Sequence, residues 1–406
     1  MVELTNLKVK KLDCNLNTAI AVKEIKPKNF EDVVNTPNKS YTISSKYDLN
    51  NKVIKLPNNV ILKFSGNGQL VNGTIIGNNT TIVANYKIFT NIKVEGTFTC
   101  VGDIRWFAKG SVNDRIDEAK ELQCALDSSF SELVFAPVPY YITETLILNN
   151  EKLLRLQGDS MKLSLAQNAD AKNTSIIFSD KDITLLQICP KTNEQNSVTI
   201  LGGNFDVSLC KNYTSDCIKI TTDNNERIWG LTICTTVNNM YNCTTGVGIN
   251  INTVKNPNSV GYVTQVLINS MISNFGTGVC INNYMNEFNT NYYNWCTGVI
   301  IDGSIVNCPT AVYSNADCDI RALIQCGYFF DDFENNTPLI KFDGVNATIS
   351  SNTYDFRLKY IDKYSNWTVL EVTNHNAVVV IEGMLKSWIK VTERLGKPSI
   401  VKGVIY

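Results

Sequence analysis

The chain has 406 residues and is 44% hydrophobic, enough to bury a large core without a metal or disulfide framework and unlike the composition of a disordered chain. Thirty-seven Lys and Arg stand against 38 Asp and Glu, a formal charge of −1, and no basic run offers a footprint for a phosphate backbone, so nucleic acid is not an expected partner. No apolar stretch is long enough to cross a bilayer and the N-terminus lacks the apolar core of an export signal, so neither membrane insertion nor secretion is expected.

The 13 cysteines are odd in number and form no C-x-x-C pair, and Cys210/Cys217 and Cys318/Cys326 have no neighbouring histidine for zinc. They read as reduced thiols filling apolar space in a protein made inside a reducing cell, with no metal and no cofactor. Only 18% of residues are charged, while 51 are asparagine. Asparagine disfavours helix interiors and tolerates left-handed backbone, which points to a turn-dense β protein.

Residues 1–40 have mixed charge and no clear period, end in "NTPNKS", and are expected to form an attachment arm. Residues 41–102 hold short β runs between Asn-Asn, Gly-Asn-Gly and Asn-Gly turns, predicting a small solenoid or meander. A lead-in loop and one helix follow over 103–130. In "SVNDRIDEAKELQCALDSS", Ser111 and Asp114 form a capping-box pattern, Asp117 and Glu118 sit near the positive end of the dipole, and Ile116, Ala119, Gln123 and Leu126 make an apolar stripe. Such a helix suits the open end of a solenoid, whose unpaired backbone groups otherwise invite aggregation.

Between 131 and 390 the chain repeats itself. "VLINSMISNFGTGVCI" and "VIIDGSIVNCPTAVYS" match at Val266/Val299, Ile268/Ile301, Ile272/Ile305, Asn274/Asn307 and Val279/Val312. A copy upstream carries Leu231, Ile233, Val237 and Asn239, then inserts three residues before Val247 and Ile249; a fourth is expected at Ala322, with Ile324 and Tyr328 on the anchors. Intervals of 35, 33 and 23 residues, period-two anchors and variable spacers describe coils with surface loops. The expected fold is all-β: a right-handed parallel β-helix, pectin-lyase-like, with one N-terminal capping helix and a short C-terminal cap over 391–406. A β-sandwich with accidental strand similarity is the alternative. Asn239, Asn274 and Asn307 share one register and are expected to stack as a structural ladder.

The order of residues 103–148 resembles the lead-in module of pectate-lyase-like phage tail spikes and tail fibres. There a W-F-G-A-K-G-D-G-type loop precedes a helix with an A-I-Q-x-A-I-D core and a strand ending in P-x-G-x-Y. Trp106, Phe107, Ala108, Lys109 and Gly110 match the loop, Gln123 to Asp127 the helix core, and Val134 to Tyr141 the strand and turn. The chain departs at Ser111-Val112, where the family has D-G, and at "PVPYY". "LPNNVILKF…LVNGTIIGNNTTI" is also similar to the N-terminal module of such proteins from Bacteroides and their phages, including crAss-like phages. The resemblance implies a virion protein made in the host cytoplasm: a homotrimeric tail spike, tail fibre, adaptor or head fibre that joins other virion proteins through its N-terminus and attaches to a host surface polysaccharide. Two alternatives stay open, a spike that depolymerises polysaccharide as a lyase or glycoside hydrolase, and a non-viral bacterial β-helix carbohydrate-active or surface protein.

Hydrolases on this fold use a Gly-His-Gly segment, whereas the single histidine, His375, has no flanking glycine and reads as a turn residue. Pectate lyases use calcium-binding carboxylates and a basic arginine. The nearest assembly here is Asp317, Asp319, Arg321, Asp331, Asp332 and Glu334, for which solubilising loop charges are the default reading. Asp206 and Asp302 lie within the repeats as groove or turn residues. Tyr284, Phe288, Tyr292, Tyr293 and Trp295 crowd one asparagine-rich stretch, the candidate contact surface for a glycan or a neighbouring subunit.

Overall fold

The computed structural model describes residues 29–110, 115–158, 173–190, 195–222, 226–240, 245–253, 261–283, 295–326, 337–351, 353–355, 370–374, 377–382, 389–391 and 400–403. Over these residues the chain is all-β apart from short helices, its strands joined in parallel ladders that make a solenoid-like stack. The N-terminal coils are tight. Ser40 pairs with Ile61 and Ile61 with Thr81, and the long strand Gln69–Val83 then carries Phe89–Phe98. Asn38, Asn59 and Asn79 turn successive corners in left-handed backbone (φ +59°, +56° and +52°), where asparagine is tolerated because its short polar side chain bonds locally. Within the range expected for an arm, the short helix Phe30–Val33 packs onto these coils through the buried Phe30, edge-on to Tyr47 at 5.5 Å.

Two long parallel ladders continue the stack. One has nine strands from Leu146–Leu148 to Ile389–Val391; the other carries ten successive rungs from Glu132–Phe135 to Ile400–Gly403, the last inside the range expected for a C-terminal cap. Period-two alternation sends one row inward: Ile200, Ile233, Ile268, Ile301, Ile320 and Ile349 lie in register and are all fully buried. Each such side chain contributes about 1.5–3 kcal/mol by leaving water, which is why the anchor letters persist from coil to coil. One contiguous apolar core runs from Phe30 to Ile381. The ten cysteines described are free thiols, and burial pushes Cys296 and Cys318 up to about 12, consistent with filler rather than reactive groups.

The register corrects three expectations. Val279 opposes Ile249, not Val247, so the upstream copy inserts five residues rather than three. Val299 opposes Cys318 and Ile305 opposes Ile324, so the fourth copy starts at Cys318, nineteen residues on; Ala322 falls between Cys318–Ile320 and Leu323–Cys326, and Tyr328 lies outside the described residues. The helix is Ala119–Leu126 and starts later than its local pattern predicts. Its buried stripe is Ala119, Leu122, Ala125 and Leu126, while Ile116 is 66% exposed. Tertiary bonds hold the residues before it out of helix. Glu118 donates its N–H to Tyr141, its carboxylate accepts from the amides of Lys109 and Gly110, and Asp117 accepts from Thr143. Ser111 and Asp114 lie outside the described residues.

Gln123, expected in the stripe, does a different job. Its Nε2 donates to Ile147 O (2.9 Å) and its Oε1 accepts from Ile147 N (2.8 Å), so one side-chain amide pairs with the outermost strand of the nine-stranded ladder as a neighbouring strand would. Beside it, buried Lys152 donates to Ser128 O (2.5 Å) and to Phe130 O, tying the turn after the helix to the second coil. Burial pushes its ammonium down to about 8.

Candidate functional site

Ile228 points into the core, which turns Arg227 and Trp229 outward on the strand Arg227–Asn238. Arg227 opposes Tyr262 in the next coil, and Tyr262 opposes Trp295 in the one after. The Trp229 and Tyr262 rings stand 6.4 Å apart at 77°, and the Arg227 guanidinium carbon lies 5.9 Å from the Tyr262 ring centroid. Trp229 is 47% exposed. This corner of two rings and a cation, held on two neighbouring strands, is the most ligand-like surface among the described residues: flat rings pack on the apolar face of a sugar, and a guanidinium forks to a carboxylate.

Of the aromatic candidates, Trp295 opens the strand Trp295–Val306, and Tyr284, Phe288, Tyr292 and Tyr293 lie outside the described residues. Arg227, Trp229 and Tyr262 were not singled out in the sequence. The signal was there: Arg227, Tyr262 and Trp295 each stand four residues before an anchor, Leu231, Val266 and Val299, so extending the repeat upstream finds the row.

The carboxylate group does not converge. Asp317 is saturated as a turn residue, accepting from Val345 N (3.1 Å), Asn346 N (2.8 Å) and Asn346 Nδ2 (3.0 Å). Asp319 pairs with Arg321 at 2.8 and 2.5 Å, which ties up the arginine that a lyase reading would need as its base. Asp331, Asp332 and Glu334 lie outside the described residues, as does His375. An open groove beside Asp319 is walled by Ile300, Thr348 and Val380. Among the described residues no group of three or more His, Cys, Asp or Glu could hold a metal ion. Asp206 accepts from Ser208 N and Asp302 from Gly303 N, and the two occupy different rows of the ladder.

The three asparagines do meet. Asn307 Nδ2 donates to Asn274 Oδ1 (3.2 Å) and Asn274 Nδ2 to Asn239 O (2.6 Å), with Asn274 and Asn307 in left-handed backbone at φ +62° and +54°. They turn the same corner of successive coils. With this geometry in hand, the chain matches no protein-family profile, no curated protein and no solved structure.

Proposed function

We propose that this chain is a bacteriophage virion protein, a homotrimeric tail spike or tail fibre, or an adaptor within one, that attaches the particle to a bacterial surface glycan. On this reading its coils wind as a right-handed parallel β-helix of the pectin-lyase type, its N-terminal segment docks to other virion proteins, and its flank carries the glycan contact. The observation that carries the reading is the Arg227, Trp229 and Tyr262 corner, an exposed aromatic surface fixed on rigid strands rather than on a loop. The resemblance of the Trp106–Gly110 loop and the Gln123–Asp127 helix core to tail spikes supports the same assignment.

Adsorption competition tests it. The purified chain should slow adsorption of its phage to host cells, and antibody labelling should place it on a tail appendage; a chain that leaves adsorption unchanged and labels no virion sinks the proposal. Light scattering checks the oligomer, for which the expected mass is three times 45.3 kDa.

A further inference from the structure

Every arginine among the described residues except one sits on a carboxylate. Arg105 pairs with Asp103, Arg115 with Asp180, Arg155 with Glu132 and Arg321 with Asp319. Arg227 has no such partner among the described residues, and its Nε is shut off from solvent without an acceptor. The adjacent carboxylate, Glu226, is buried at 4% exposure. A guanidinium partly stripped of water and left without a counter-charge is an unfavourable arrangement that an arriving anion offsets. Next to it the Trp229 indole offers a half-exposed flat face, held upright by the edge-on Tyr262 ring.

We infer that this corner takes a carboxylate-bearing sugar, a uronic-acid unit of an acidic polysaccharide, with the pyranose ring on Trp229 and the carboxylate on the terminal nitrogens of Arg227. The inference rests on the glycan-attachment reading and specifies its ligand class. Carboxylate is favoured because a planar guanidinium meets a planar anion through two parallel hydrogen bonds, and because Arg227 lies over one aromatic ring and two residues along the strand from another. A merely anion-seeking site needs no ring, and a merely apolar one needs no arginine.

The test uses the full chain and surface plasmon resonance on immobilised polygalacturonate, alginate and hyaluronate, each beside its carboxyl-reduced form. At least one polyuronate should bind about tenfold or more tightly than its reduced form, the worth of a charge-assisted hydrogen bond. Arg227→Gln should erase that preference and Arg227→Lys restore part of it. Trp229→Ala should weaken both forms, with the melting temperature unchanged in all three variants. Dextran sulfate serves as a charge control. Sulfate binding as tight as uronate binding and indifferent to Trp229→Ala, equal binding of the paired forms, or a preference that survives Arg227→Gln each overturns the inference while leaving glycan attachment standing. If no polyuronate binds, the inference falls, and the adsorption experiment alone then decides the attachment reading.

Discussion

Asn274 illustrates how a single side chain serves this architecture twice, turning the backbone through φ +62° and bonding to the coils on either side. Replacing it with alanine removes both functions, at a cost of about 1–2 kcal/mol for left-handed backbone plus about 1 kcal/mol per lost hydrogen bond. Asn274→Gly keeps the backbone and loses only the bonds, so urea unfolding should rank wild type above the glycine variant and glycine above alanine. Lys152 makes a different prediction. Its folded pKa, about 8, lies below that of an unfolded lysine, so between these values the unfolded chain holds the extra proton and stability rises with pH. Relative to Lys152→Met, wild type should gain up to about 3 kcal/mol between roughly pH 8 and 10.5, and the difference should be flat below pH 8, as read from denaturant midpoints. The asparagine ladder was legible in the sequence because its members recur in register. Lys152 was not, since nothing adjacent in sequence reveals that its ammonium ends among main-chain carbonyls of the preceding turn.

At the scale of elements, the helix Ala119–Leu126 shows where local reading stops. Its composition announces a helix, but its start is decided by Tyr141 and Thr143, partners that no capping pattern contains. Gln123 shows the same limit, since an amide expected to lie in a stripe instead faces the backbone of Ile147. Gln123→Ala should therefore cost about 1–2 kcal/mol and leave the strand edge unsatisfied. Lower melting temperature together with faster growth of light scattering on warm incubation is the expected outcome; a variant that matches wild type in both would show the amide pairing to be incidental. The binding corner was missed for a related reason. Arg227 and Trp229 stand on one strand and Tyr262 comes 35 residues after Arg227 on the next, whereas the dense aromatics of 284–295 attract the eye.

For the whole molecule, the apolar anchors made the parallel stack legible, because one interior column demands the same kind of residue at every rung. Coil lengths were harder to read. Ala322 looked like an anchor because Ile324 follows it at period two, yet the rung begins at Cys318, a residue flanked by aspartates and so poor in apolar signal. Those unequal rungs have a mechanical consequence. Hydrogen bonds between coils run along the rod, so a pull applied to its ends peels one coil at a time, and each peeled coil releases its own length of chain. At roughly 3.5 Å per residue the coils that separate Leu231, Val266, Val299 and Cys318, of 35, 33 and 19 residues, should appear in single-molecule extension as steps of about 120, 115 and 65 Å. The rod would then carry in its force trace a barcode of its own coil lengths, with the short Val299-to-Cys318 rung as the mark that fixes the direction of reading.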